Sequence, residues 1–190
     1  MKHQVREEGS RAVGLTLIEM LVSLAVLAIV FAIALPVLAR SRDSGRQAKC
    51  LANLRTLRDA VEMYRNDHAD LYPYAESDAS LYPVSLHAPY DALASYLGLS
   101  LPGEVKEPRQ APAPLWCPGD RLERRPSGIS YTYMPWMVMA TWPGVEKQRG
   151  ASITLANMPD EPLFWEYPGN HASRVRGEVG VDGTVTMARK

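Results

Sequence analysis

Three sets of side chains in this 190-residue chain could do chemistry. The first is a lone carboxylate, Glu19, set in the apolar run from Leu15 to Ala39 that is otherwise interrupted only by Thr16, Ser23 and Pro36. An acid well inside a spanning helix costs roughly 2.5–3.5 kcal/mol on insertion scales, and less near an end. Glu19 is therefore either an interfacial residue with no role or a group that acquires a partner. The second set is Cys50 and Cys117. They are two unpaired thiols or, if the second half of the chain lies outside the cytoplasm, one disulfide. The third is Asp182-Gly183, between "GEVGV" and "TVTMA", a turn dipeptide that also carries a carboxylate.

Other chemistry is missing from the pattern. No Gly-rich loop follows a strand, no Cys-x-x-Cys pair occurs, and no Gly-x-Ser-x-Gly elbow is present. The histidines His3, His68, His87 and His171 are too scattered for metal-ligand spacing. An enzyme is not expected. Lys plus Arg and Asp plus Glu both number 21, so no bulk charge draws the chain to nucleic acid, and no nucleic-acid partner is expected.

These groups must be positioned by elements that the hydrophobic pattern outlines. Residues 15–39 are about 25 in number, enough for a helix rising ~1.5 Å per residue to cross ~30 Å of hydrocarbon. A secretory signal core is shorter, roughly 7–15 residues, so a span is expected rather than a cleaved signal. Residues 1–14 read as a polar leader. Beyond Pro36, which should kink the helix without ending it, residues 40–70 become amphipathic. Leu51, Leu54, Leu57, Val61 and Tyr64 share a face, and the helix should stop near Asn66–Asp70. Residues 71–190 form the head. A short helix over Tyr90–Leu97 should stop at Gly98, and Pro118-Gly119-Asp120 signals a turn at Cys117. Strands are expected at "ISYTYMPWMVM", with Pro135 demoting its middle, and at "SITLA", "LFWEY", "GEVGV" and "TVTMA". The last two should be joined by a two-residue type I′ turn at Asp182-Gly183. The fold class is thus α+β: one long helix carrying a small antiparallel sheet.

The segment "GLTLIEMLVSLAVLAIVFAIALP" resembles the N terminus of type IV prepilins and type II secretion pseudopilins. Gly14, Thr16-Leu17-Ile18-Glu19, the apolar length and Pro36 all match, with Leu15 where Phe or Met is commoner. The resemblance implies that a prepilin peptidase cuts between Gly14 and Leu15 and that the new Leu15 amine is methylated. It implies that Glu19 faces the N-terminal amine of a neighbouring subunit during assembly. A buried carboxylate is tolerable when a cation neutralises it and costly when alone, so Glu19 would favour correct docking.

The head resembles a bacterial group of pseudopilin-like proteins with a processing-associated C-terminal motif. Cys50 with Asn53-Leu54, Cys117-Pro118, Ser130-Tyr131, and His171 ahead of Asp182-Gly183 carry this likeness. Ten residues separate His171 from Asp182, against about nine in the group. The resemblance implies a single-pass protein of the bacterial inner membrane, N terminus cytoplasmic and head periplasmic. Its implied partners are other pseudopilin subunits in a filament and, indirectly, a secretion platform protein and ATPase. A periplasmic head makes a Cys50–Cys117 disulfide the expectation. Major pseudopilins often bind calcium in the head, which makes Asp182 a candidate ligand. Calcium wants six to eight oxygens, however, and no Asp-x-Asp spacing gathers acids there, so the turn role is preferred. A surface type IV pilus for adhesion or DNA uptake, and a membrane-anchored binding module, are the alternatives.

Overall fold

The computed structural model describes residues 16–75, 89–100, 111–120, 127–141, 147–167, 171 and 175–189. Gly14 and Leu15 lie outside them. Helix α1 runs without a break over Leu17–Asp67 and contains Pro36. Three short helices follow, α2 (Tyr90–Ala94), α3 (Pro135–Thr141) and α4 (Lys147–Ala156). Four strands, β1 (Tyr131–Tyr133), β2 (Pro162–Glu166), β3 (Val175–Gly180) and β4 (Val185–Arg189), form one antiparallel meander in the order β1-β2-β3-β4. This is the expected α+β architecture, a long N-terminal helix with a small antiparallel sheet.

The chain divides into two compact units, residues 1–41 and 42–190. In the first, every large apolar side chain from Leu17 to Leu38 is exposed. Leaving such a side chain in water instead of burying it forgoes roughly 1.5–3 kcal/mol, so this surface requires hydrocarbon or protein against it. The segment is long and apolar enough to cross a membrane.

In the second unit, the stem half of α1 buries Cys50, Asn53, Leu54, Leu57, Ala60 and Val61. The spacings of three and four put them on one face, the stripe that the leucines outlined. Beyond Asp67 the chain reverses through Ala69 and Asp70, both in the left-handed region at φ 52° and 67°. The Asp70 amide donates to the Arg65 carbonyl at 2.9 Å, closing the helix end. The covering face of the sheet follows from register. Tyr131 pairs with Glu166 and Tyr133 with Phe164, while Phe164 pairs with Val179. All five are buried. Burial alternates from Phe164 to Glu166 in β2 and from Gly177 to Val179 in β3, as the period of two requires, whereas Thr132 of β1 and Leu163 of β2 are buried as well.

Three expected elements are corrected. The stretch "ISYTYMPWMVM" is not one interrupted strand: β1 stops at Tyr133, and Pro135 opens α3. Proline's fixed φ and missing amide suit a first helical position, where the amide would be unpaired anyway. "SITLA" lies in α4. Its hydroxyls bond back one turn, Ser152 to the Gln148 carbonyl at 2.8 Å and Thr154 to that of Gly150 at 2.9 Å, a helical pattern that a five-residue alternation cannot distinguish. The last hairpin has a three-residue loop, Val181 to Gly183. Gly180 and Thr184 close it (N–H to carbonyl, 2.8 Å), and the Gly183 amide donates to the Gly180 carbonyl at 3.1 Å. Gly183 is left-handed at φ 87°, whereas Asp182 is not, so the turn is not type I′. A bulged three-residue connection matches strand twist equally well and needs positive φ only at its last position.

Candidate functional site

Glu19 lies in the first turn of α1 and bonds locally. Its Oε2 accepts from the Thr16 amide at 2.8 Å and the Thr16 hydroxyl at 2.7 Å, and the Thr16 hydroxyl accepts from the Glu19 amide at 3.3 Å. This is a capping box, in which a threonine and the glutamate three residues on satisfy helix-terminal donors reciprocally. The positive end of the helix dipole favours the acid there as well. The sequence signal for this cap is the T-x-x-E spacing of Thr16 and Glu19 ahead of an apolar run. Oε1 has no partner among the described residues.

The second site is buried in the head, and four segments build it. The stem stripe turns Cys50 and Asn53 inward. Cys117 opens the Cys-Pro-Gly-Asp turn, which is closed by the Asp120 amide on the Cys117 carbonyl at 2.9 Å. Asn53 holds that turn against the stem: its Nδ2 donates to the Trp116 carbonyl at 2.8 Å and to the Tyr131 hydroxyl at 3.0 Å. The Ser130 hydroxyl accepts from the Cys117 amide at 3.0 Å. Cys50 and Cys117 are joined as a disulfide, and neither sulfur is exposed.

Beside the disulfide sits an ionisable pair. Glu166 occupies an inward position of β2, and His171 follows five residues later. His171 Nε2 lies 3.2 Å from Glu166 Oε2, 3.3 Å from Oε1 and 3.7 Å from Cys117 Sγ. Both side chains of the pair are wholly inaccessible. Glu166 Oε2 also accepts the Gly177 amide at 2.9 Å. A Cβ at residue 177 would come within 3.1 Å of that oxygen and 2.8 Å of Leu54 Cδ1, so glycine is what allows strand, stem and carboxylate to meet. Burial first, then the neighbouring Glu166 charge, hold the Tyr131 phenol well above its ordinary value. It remains a protonated donor, 3.4 Å from the Cys50 carbonyl. The Cys50, Cys117, Glu166 and His171 donor atoms all lie within 4.8 Å of one another.

Asp182 is placed elsewhere. Its oxygens accept from the Thr184 amide at 2.8 Å and from the Thr184 hydroxyl, which lowers its pKa. With Asp160 and Glu178 it lines a shallow cleft of about 200 Å³. Glu178 is paired there with Arg176 at 3.1 Å. Gly183 lies over the stem: a Cβ on it would come within 3.1 Å of the Arg58 guanidinium.

The sequence brought Cys50, Cys117 and His171 into view separately, but not Glu166 as their neighbour. The alternation in "LFWEY" puts Glu166 on the same face as Phe164, and that is the signal that marks it. No family model, no curated protein and no solved structure matches this chain.

Proposed function

We propose that this chain is a structural subunit, a pseudopilin of a type II secretion-like periplasmic filament. Prepilin peptidase would cut it between Gly14 and Leu15, and the head would stand in the periplasm above an inner-membrane anchor. The observation that carries the reading is Glu19, one turn into an apolar run of α1 whose large side chains from Leu17 to Leu38 are all exposed in the single chain. Such a surface needs a bilayer before assembly and neighbouring helices afterwards. The carboxylate keeps Oε1 available for a neighbour's amine while Thr16 holds Oε2.

The experiment separates this role from simple capping. In cells with active prepilin peptidase, intact mass should show a mature chain that begins at a methylated Leu15, and Gly14→Val should block the cut. Glu19→Gln keeps an oxygen for the cap but removes the charge. It should be inserted and processed, yet it should fail to cross-link into oligomers. An uncut chain starting at Met1 refutes the processing step. Oligomers of Glu19→Gln at the wild-type level refute the assembly role and leave only the cap.

A further inference from the structure

A buried Glu–His pair is a costly way to fill a core beside a disulfide. Its carboxylate must be compensated, and His171 Nδ1 is buried with no hydrogen-bond partner among the described residues. The pair is aimed at the sulfurs. His171 is only 3% exposed and presents Nε2 to both Glu166 and Cys117. We propose that the dithiol form of this head binds one thiophilic divalent cation, zinc by preference, through Cys50 Sγ, Cys117 Sγ, His171 Nε2 and a Glu166 oxygen. The disulfide and the metal-bound form are then two alternative states of one site.

The donor chemistry points to zinc. Two thiolates, one imidazole and one carboxylate make a mixed sulfur, nitrogen and oxygen set of four, which a borderline-soft ion without geometric preference accepts. The geometry agrees. Bonds of ~2.0–2.3 Å in a tetrahedron place ligand atoms roughly 3.3–3.8 Å apart. The four donors already lie within 4.8 Å of one another, so shifts of about an ångström complete the site. The supports outside the ligands are in place: the Gly177 amide orients Glu166, and Asn53 and Ser130 fix the Cys-Pro turn. The ion would take over the cross-link between stem and turn that the disulfide otherwise makes.

The two states exclude each other because only a thiolate ligates, and a disulfide sulfur has none to offer. Opening the bond takes two electrons and two protons from a dithiol reductant, which leaves as its own disulfide. Zinc then displaces one proton from each thiol. Two thiolates and one carboxylate around a dication leave one negative charge, shared with the Gly177 amide. Transfer of two electrons to a disulfide oxidant rebuilds the Cys50–Cys117 bond and frees the ion.

The test uses the full chain in detergent micelles, reduced with dithiothreitol, freed of it without oxygen, and titrated with cobalt(II). We expect one equivalent to bind with sulfur-to-cobalt charge-transfer bands and the intense visible bands of a tetrahedral site. Zinc should displace it, and the oxidised chain should show neither band. His171→Asn and Glu166→Gln should each weaken binding at least tenfold. The proposal is overturned if the reduced chain, folded or not, gives no tetrahedral cobalt spectrum. It is equally overturned if the oxidised chain binds as well, or if both variants keep wild-type affinity, since binding would then need only the thiols.

Discussion

Adding one methyl group at Gly177 tests the packing at the centre of the head. In Gly177→Ala the new Cβ would stand 2.8 Å from Leu54 Cδ1, 3.1 Å from Glu166 Oε2 and 3.3 Å from Leu51 Cδ2. The first distance is shorter than real Cβ contacts, so something must move. Leu54 is the far end of a flexible side chain but is fully buried, so its rotation meets the rest of the core. Overpacking of this kind costs about 1–3 kcal/mol. For a chain of this size each kcal/mol lowers Tm by about 2–4 °C, so the melting point should fall by about 2–12 °C. Circular dichroism melts of the oxidised protein measure it. Gly45→Ala is the internal control, since nothing lies within 4 Å of a Cβ on that exposed helical glycine. It should gain about 0.5–1 kcal/mol from lower backbone entropy in the unfolded chain. Leu54→Val in the Gly177→Ala background should cost less than Leu54→Val alone, because the two groups compete for the same space. A Gly177→Ala protein that melts at or above the wild-type temperature refutes the account of how stem and sheet meet.

Other expectations follow from the same contacts. Asn53→Ala strips the buried Trp116 carbonyl of its donor and should cost about 1–3 kcal/mol in denaturant melts. Replacing both cysteines by serine removes a cross-link between residues 67 apart, worth roughly 4 kcal/mol by chain entropy, and thiol titration of the oxidised, denatured wild type should find no free thiol. Gly183→Val should destabilise the head, because its φ of 87° disfavours a side chain and Arg58 occupies the space. The lowered pKa of Asp182 adds stability that is present above the ordinary carboxylate value near 4 and is lost as pH falls through the folded value. Melts of Asp182→Asn and wild type should therefore converge in acid, and chelator should leave the wild-type melt unchanged if the turn role is the whole role of Asp182.

The parts of the fold that were legible in the sequence are those fixed by long periodicity. The apolar run and the stem stripe together span dozens of residues, and Pro36 could not end a helix that the pattern continues on both sides. The short elements of the head were not legible in the same way. Five residues of alternating type in "SITLA" fit a helix as well as a strand, and contacts from α4 to the segment after α1, such as the Ser152 hydroxyl accepting the Tyr72 amide at 2.9 Å, favoured the helix. The buried site shows the same limit at longer range. Cys50, Cys117 and His171 each stood out by type, but their meeting depends on β2 turning Glu166 inward and on Gly177 leaving room for it. Neither fact is local: one is the register of β1, β2 and β3, and the other is the approach of a strand to Leu54 of the stem. A histidine that looked isolated at residue 171 is therefore the last member of a set assembled by sheet register. The sequence feature that would have predicted the set is the inward carboxylate five residues before it, since an acid on the covered face of a strand needs a partner.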